Sequence, residues 1–137
     1  MNSIVEKIYY HSVRTPENIA VISGERKISY SSLWRKVLIS KELLRCQLDI
    51  TIGDRIIISA SNEPEFIYIY LAGHLCGAII TPIDPNTKED RLKLIIRKTS
   101  AKIIIGFNNI GQINHTKPVP ISMFDNIEMV VNDSILN

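Results

Sequence analysis

Five polar residues of this sequence could take part in chemistry: His11, His74, His115, Asp54 and Asp84. The histidines fall in three different predicted elements, and none has a carboxylate at the spacing of a catalytic triad or a metal site. We interpret each histidine as structural or exposed. Both aspartates lie in loops at strand ends, where α/β proteins place functional residues. Because aspartate side chains also stabilise tight turns, we favour a turn-forming role for both.

Phosphate binding would require glycines where a strand meets a helix, because only glycine lets backbone amides come close to the ligand. Gly106 and Gly111 have the spacing of a Walker A loop, but Gln112-Ile113 replaces its Lys-Ser/Thr pair, so we interpret the match as chance. No Gly-x-Gly-x-x-Gly or Gly-x-Ser-x-Gly pattern supports a dinucleotide site or a hydrolase nucleophile. One basic helix face could meet an anion, although solvated side chains explain it more simply; it comprises Lys88, Lys93, Arg97 and Lys98.

The two cysteines, Cys46 and Cys76, form no Cys-x-x-Cys pair, and no paired histidines accompany them. Zinc binding and thioredoxin-like chemistry therefore have little support. We expect both cysteines to be buried free thiols. Residue types and spacing alone thus indicate no catalytic, cofactor-binding or metal-binding residue.

The composition is that of an ordinary globular protein: 137 residues, 45% hydrophobic and 22% charged, which predicts a single domain. A net charge of +2 gives no indication of nucleic-acid binding. The longest apolar run, Phe66 to Cys76, is shorter than the roughly 20 residues that cross a bilayer. The N-terminus has no signal-peptide pattern, so we expect a cytoplasmic protein without a membrane span.

The N-terminal part of the chain predicts a helix followed by a β-hairpin. The helix ends at Thr15-Pro16, because a residue before proline avoids the α region. Two β-prone runs, Ile19–Ile22 and Lys27–Tyr30, are separated by Gly24, which supplies the tight bend of the hairpin.

Three further helices are predicted. Ser31 or Ser32 would cap a helix that continues to about Arg45. The segment from Pro64 to Cys76 is apolar nearly all round and is expected to lie between layers, with Gly73 allowing close backbone approach. Thr87 and Asp90 have the spacing of a capping box that opens the last helix.

Three isoleucine-rich runs, residues 55–60, 78–81 and 102–105, are typical of strands covered on both faces. Pro82 is expected to end the second strand, because proline cannot donate to a β-ladder. Alternation of these strands with helices predicts an α/β fold with a mostly parallel sheet flanked by helices. Residues 107–137 are the uncertain part of the prediction.

Several segments together resemble the start of the adenylate-forming ligases, a superfamily of acyl-CoA synthetases, luciferases and nonribosomal peptide synthetase adenylation domains. Ile28 to Leu33 is similar to the first core motif, Thr-Tyr-x-Glu-Leu, with Ser29 for threonine and Ser32 for glutamate. Leu75 to Asp84 resembles the second core motif. Order and spacing agree over about residues 8–106; the other matching pieces are Thr15 to Val21, Ile52 to Ile56, Asn62 and Glu65-Phe66.

The resemblance implies that residues 1–137 are a single incomplete domain, a partial N-terminal subdomain of the ligase fold. It also implies ATP-dependent activation of a carboxylate as an acyl-adenylate, followed by transfer to a thiol. ATP, Mg and coenzyme A or a carrier-protein thiol are the cofactors implied for a full-length relative.

The family's phosphate loop, nucleotide-binding motifs, acyl pocket and C-terminal lysine would all follow Asn137 in the family's order. Because these parts stabilise the charge that develops during adenylation, we expect the isolated chain to be inactive and to hold no catalytic, cofactor-binding or metal-binding residue. The family-matching residues are expected to hold turns and helix starts; they are Tyr30, Asp54, Arg55, Asn62 and Pro82.

Two hypotheses of different class follow. The chain is the N-terminal scaffold of an acid–thiol ligase, as a truncated product or a split-enzyme subunit, or it is a non-catalytic interaction module with the same scaffold. A sheet cut short leaves an unpaired strand, which predicts pairing with the missing downstream portion or self-association through the exposed sheet edge. The motifs do not separate a coenzyme A ligase from a peptide-synthetase adenylation domain.

Overall fold

The computed structural model describes residues 3–108 and 110–125. Its helices are α1 (Ile4–Arg14), α2 (Tyr30–Glu42), α3 (Pro64–Leu75) and α4 (Glu89–Thr99), with a π-helical turn at Leu43–Gln47 and a 3₁₀ helix at Ile121–Phe124. Its strands are β1 (Ile19–Ser23), β2 (Arg26–Ser29), β3 (Arg55–Ser59), β4 (Ile79–Ile83), β5 (Ile103–Ile105) and β6 (Lys117–Val119).

Strands β1 and β2 form the expected antiparallel hairpin, separate from the main sheet. Ser23 pairs with Arg26, so the connecting turn has two residues. Gly24, the first of them, has φ +60°, a conformation that glycine adopts without steric cost. The predicted bend at Gly24 is therefore confirmed.

The main sheet has the order β4-β3-β5-β6, and all its pairs are parallel. The isoleucines of β3 and β5 alternate between two cores, because successive side chains of a strand point to opposite faces. Ile56 and Ile58 face α2 and α3, whereas Ile57 faces α4. The predicted α/β fold, with a mostly parallel sheet flanked by helices, is confirmed.

Pro82 does not end the second strand of the sheet; it lies inside β4. The N–H of Ile79 donates to Asp54 O at 2.8 Å, and the carbonyl of Ile83 accepts from Ala60 N at 2.8 Å. Residues 79, 81 and 83 therefore bond to β3, and Pro82 points its missing N–H away from the ladder. The expectation was wrong because β4 is an edge strand, where proline removes no hydrogen bond.

Two predicted helix starts were also wrong. Helix α2 is capped by Ser29, whose Oγ accepts from Ser32 N at 3.2 Å, rather than by Ser31 or Ser32. Helix α4 has Lys88 at its N-cap without a side-chain cap. Thr87 instead donates from Oγ1 to Asp84 O at 2.7 Å, so it belongs to the preceding turn and not to a capping box.

Of the two cysteines, only Cys76 is buried. Cys46 is exposed, because it lies on the outer side of the π-helical turn that follows α2. Gly73 makes the expected close approach: a Cβ there would lie 2.4 Å from Cδ1 of Ile80 on β4. Strand β6 falls within residues 107–137, the uncertain part of the prediction.

Candidate functional site

The carboxyl ends of the parallel strands are the first place to look for a site, since ligands of open α/β sheets bind there. Ala60 N donates to Ile83 O at 2.8 Å, and Gly106 N donates to Val119 O at 3.0 Å. Gly106 has φ +86°, and a Cβ at this position would lie 3.0 Å from Cβ of Ser59. The residue after β3 is therefore held to β4 and the residue after β5 to β6 by a backbone bond, and Gly106 packs closely against Ser59 at the end of β3.

The polar side chains at this edge are engaged in turns. Asp84 accepts from Asn86 N at 2.8 Å through Oδ1, and its carbonyl accepts from Thr87 N at 3.0 Å. The turn-forming role that we favoured for Asp84 therefore agrees with its contacts. Beside it lies a hollow of about 370 Å³, whose lining includes Thr87, Gly106 and Asn108. The lining contains no cation and includes the carboxylate of Glu89, so this hollow offers hydrogen bonds but no positive charge for a phosphate.

Asp54 holds a polar cluster at the opposite edge, where β3 and β5 begin. Its Oδ2 accepts from Thr51 N at 2.7 Å and Thr51 Oγ1 at 3.1 Å, and from Lys102 Nζ at 3.2 Å. The backbone bond from Thr51 and the ammonium of Lys102 lower the pKa of Asp54, which stays charged. Lys102 also contacts Asp49 at 3.6 Å, and Arg55 donates to Thr99 O at 2.9 Å. Asp54 and Arg55 thus tie the two strands to the preceding loops.

A buried cluster around Glu65 was not foreseen from the sequence. Glu65 is only 3% exposed, and its carboxylate pairs with Arg26 of the hairpin at 3.2 Å. Tyr68, one turn further along α3, donates to Phe124 O at 3.4 Å, and burial raises its pKa. Lys36 lies 5.9 Å from the centroid of the Tyr68 ring. The cluster joins the hairpin, α3 and the 3₁₀ helix. Arg26 and Glu65 are 39 residues apart, so no local pattern could reveal their contact.

The three histidines are placed separately. His11 of α1 packs against Tyr30 with ring centroids 4.9 Å apart, and His74 of α3 packs against Tyr70 at 4.6 Å. His115 lies on the loop before β6, on the wall of a hollow of about 500 Å³. Each is exposed or engaged in an aromatic contact, as we interpreted them from the sequence.

The basic residues of α4 and its N-cap lie at the protein surface, and Arg97 lines the same hollow as His115. Lys93 pairs with Glu89 one turn earlier at 3.2 Å, while Lys88, Arg97 and Lys98 are exposed around the helix. Gly111 is followed by a β-bridge between Ile113 and Thr116 and then by β6, not by the helix that a Walker A loop opens. Residues 3–108 and 110–125 contain no cluster of histidine, cysteine or carboxylate groups that could hold a metal ion. None of their helices is both long and apolar enough to span a membrane.

Two other family-matching residues, Asn62 and Tyr30, lie close to the starts of helices. Asn62 is exposed in the loop that leads from β3 into α3. Tyr30 begins α2, and its N–H donates to Asn18 O at 2.9 Å, which fixes the start of the helix against the hairpin. The described residues therefore build a sheet whose loops are held by hydrogen bonds at both ends.

Comparison with known proteins gives a family match over most of the chain. The family model described as AMP-binding enzyme matches residues 9–133. Bacitracin synthase 3 of Bacillus licheniformis is 31% identical over 107 residues, which are 76% of this chain and 2% of that protein. The D-alanine–D-alanyl carrier protein ligase of the same species is 25% identical over 125 residues, which are 89% of this chain and 24% of the ligase.

Solved structures show the same fold. The N-terminal subdomain of Klebsiella oxytoca NpsA, in complex with 3-hydroxybenzoyl-AMSN, superposes with a TM-score of 0.83 over 96% of this chain at 20% identity. IdnL1 superposes with a TM-score of 0.70 over 80% of the chain at 24% identity. The chain spans 33% of the NpsA subdomain and 24% of IdnL1, so it corresponds to a third or less of these proteins.

Proposed function

The chain belongs to the AMP-binding enzyme family, and from that membership we propose that it forms the first part of an ATP-dependent ligase that activates carboxylates. In such a reaction a carboxylate oxygen attacks the α-phosphorus of ATP, pyrophosphate leaves, and an acyl-adenylate results. The acyl carbon is then attacked by a thiolate, which releases AMP and leaves a thioester. The observation that carries this proposal is the family match, which extends from residue 9 to residue 133.

The relatives favour a carrier-protein thiol as the acyl acceptor. One relative is a D-alanine–D-alanyl carrier protein ligase, and another is a peptide synthase, bacitracin synthase 3. NpsA-ThdA of Klebsiella oxytoca, an artificially fused adenylation–PCP di-domain, also matches, with a TM-score of 0.81. We therefore propose a carrier protein rather than coenzyme A as the partner that accepts the acyl group. Because the reaction consumes ATP, we place it in the cytoplasm.

The chain itself contributes scaffold to this reaction. Adenylation needs cationic and amide donors on the phosphates and a metal ion that offsets their charge. The described residues do not fit these tasks: Asp54 is bonded to Thr51 and Lys102, and Asp84 is bonded within its own turn. The 137 residues also contain no match to the family's phosphate loop, a Ser/Thr/Gly-rich segment that ends in Pro-Lys-Gly. We propose that the reacting groups come from other parts of the ligase and that these 137 residues alone form no adenylate.

A graft into the D-alanine–D-alanyl carrier protein ligase tests the proposal. In the graft, this chain replaces the segment of that ligase that it matches over 125 residues. We expect ATP–pyrophosphate exchange with D-alanine from the graft and none above a buffer blank from the isolated chain with a panel of amino, aryl and fatty acids. Grafts carrying Gly73→Val serve as the matched control, and they should show less exchange than the unmodified graft, because the new Cβ would lie 2.4 Å from Cδ1 of Ile80 and the side chain would have to shift.

Two results would contradict the proposal. One is exchange above the blank from the isolated chain. The other is a soluble graft with native circular dichroism that shows no exchange, which would favour a non-catalytic interaction module instead.

A further inference from the structure

The two outer edges of the four-stranded sheet differ from ordinary strand edges. Strands β4 and β6 lie at the ends of the order β4-β3-β5-β6, so each has one side without a partner strand in the described residues. An edge strand normally presents a row of free N–H and C=O groups, to which a second chain can add a strand. The hydrogen bonds that each edge strand makes to its inner neighbour determine which of its N–H and C=O groups stay free.

At β6 the outward side carries no free N–H. Lys117 N donates to Lys102 O at 3.0 Å, and Val119 O accepts from Gly106 N at 3.0 Å, so residues 117 and 119 face β5. Residues 116, 118 and 120 therefore face outward. Thr116 N is already bonded to Ile113 O at 2.9 Å, and positions 118 and 120 are prolines.

At β4 the outward side carries a single free N–H. Residues 79, 81 and 83 bond to β3, which leaves residues 78, 80 and 82 facing outward. Ala78 N donates to Gly73 O at 3.0 Å, and Pro82 has no N–H, so Ile80 alone can donate. The strand needs this protection, because Ile79 is 51% exposed beside the edge.

We propose that Pro82 and Pro118 close both edges of this sheet to strand addition by a second copy of the chain. Pro118 stands at the central outward position of β6 and Pro82 at the last outward position of β4, next to Ile80. At either position a valine would donate to an added strand at no cost to the inner ladder. Lys117 adds a charge beside one edge. The proposal disfavours self-association through a sheet edge, which was one of the two partner hypotheses from the sequence. It does not concern partners that bind at the helical faces or at the strand ends.

Sedimentation velocity from micromolar to near-millimolar concentration tests the proposal on the 137-residue chain and on the Pro82→Val/Pro118→Val double variant. We expect a monomer for the natural chain and a roughly tenfold or greater rise in the association constant for the double variant, because each interface gains hydrogen-bond donors. Thr81→Val is the matched control. It adds a β-branched apolar residue to β4, but its N–H already bonds to β3, so association should stay at the natural level.

Hydrogen exchange gives a second readout that needs no variant. In the natural chain the Ile80 amide should exchange much faster than the Thr81 amide at the highest concentration, and in the associated double variant both should be protected. Two outcomes would overturn the proposal: a folded double variant as monomeric as the natural chain, or a natural chain that associates with its Ile80 amide protected. If valine prevents folding, the Pro82→Ala/Pro118→Ala variant restores the two backbone N–H donors with smaller side chains. The same two outcomes, observed with that variant, would overturn the proposal.

Discussion

Replacing Asp54 by asparagine should destabilise the fold, because Asp54 joins the loop before β3 to the start of β5. The carboxylate accepts a 2.7 Å bond from Thr51 N and a 3.2 Å bond from Lys102 Nζ. Bonds to charged groups contribute about 1.5–3 kcal/mol each, but asparagine keeps an acceptor oxygen and the side chain is 26% exposed. We therefore expect Asp54→Asn to lower the free energy of unfolding by about 1–2 kcal/mol at neutral pH.

The effect should depend on pH in a defined direction. The unfolded aspartate has a pKa of about 3.9, and the bonds from Thr51 and Lys102 lower the pKa of Asp54 in the folded chain. A depressed folded pKa stabilises the fold above the unfolded pKa, and this contribution is lost as the pH falls through the folded pKa. The difference in the free energy of unfolding between the natural chain and the variant should be fully present above about pH 5 and should shrink at lower pH.

Urea unfolding, followed by circular dichroism and by the fluorescence of Trp34, measures the change. With a slope of about 2 kcal/mol/M, a loss of about 1–2 kcal/mol lowers the midpoint by roughly 0.5–1 M. Asp84→Asn is the matched control, because its Oδ1 accepts only from Asn86 N and asparagine can do the same. The reasoning would be refuted if both variants lost equal stability, or if the Asp54→Asn gap persisted at the lowest pH at which the natural chain folds.

Two further stability predictions use the same urea titration. Ile57→Ala should lower the free energy of unfolding by about 2–5 kcal/mol, because Ile57 is fully buried between the sheet and α4. Ile79 is half exposed, so Ile79→Ala should lower it by less than about 1 kcal/mol. Equal losses would contradict the packing described. Ser40→Ala should leave stability unchanged or raise it by up to about 1 kcal/mol, because Ser40 Oγ is buried without a hydrogen-bond partner among the described residues. The control is Ser29→Ala, which removes the cap of α2 and should lower the free energy of unfolding by about 1 kcal/mol. A larger loss from Ser40→Ala than from Ser29→Ala would contradict the prediction for Ser40.

The sheet was predictable where a strand is buried on both faces. The isoleucines of β3 and β5 face helices on either side, so a continuous apolar run is the only pattern that satisfies both cores. The hairpin was predictable from Gly24, because a two-residue turn needs a residue that tolerates positive φ. In these places the sequence pattern is set by local geometry and burial, which short windows capture.

The misses share another cause: the deciding partner lies elsewhere in the chain. Strand β6 reads as a loop because two of residues 117–120 are prolines, and it is a strand only because β5 supplies the inward partners. Pro82 appeared to end β4 because its position at the outer edge was not visible from the sequence. The Arg26–Glu65 pair joins residues 39 apart, so neither the buried carboxylate nor its partner could be inferred.

The same distinction between local and long-range determinants applies to the candidate site. The residues that carry the family resemblance have structural tasks: Asp54 closes a loop, Tyr30 begins a helix, and Pro82 blocks an edge. Such residues identify a family because their backbone and burial requirements are strict, not because they react. A sequence can therefore reveal membership of a family of enzymes through its scaffold alone. Asp54 and Asp84, the two carboxylates in the strand-end loops, are both engaged in hydrogen bonds within the scaffold. We therefore propose that the acids, cations and metal ligands of the reaction come from other residues of the ligase.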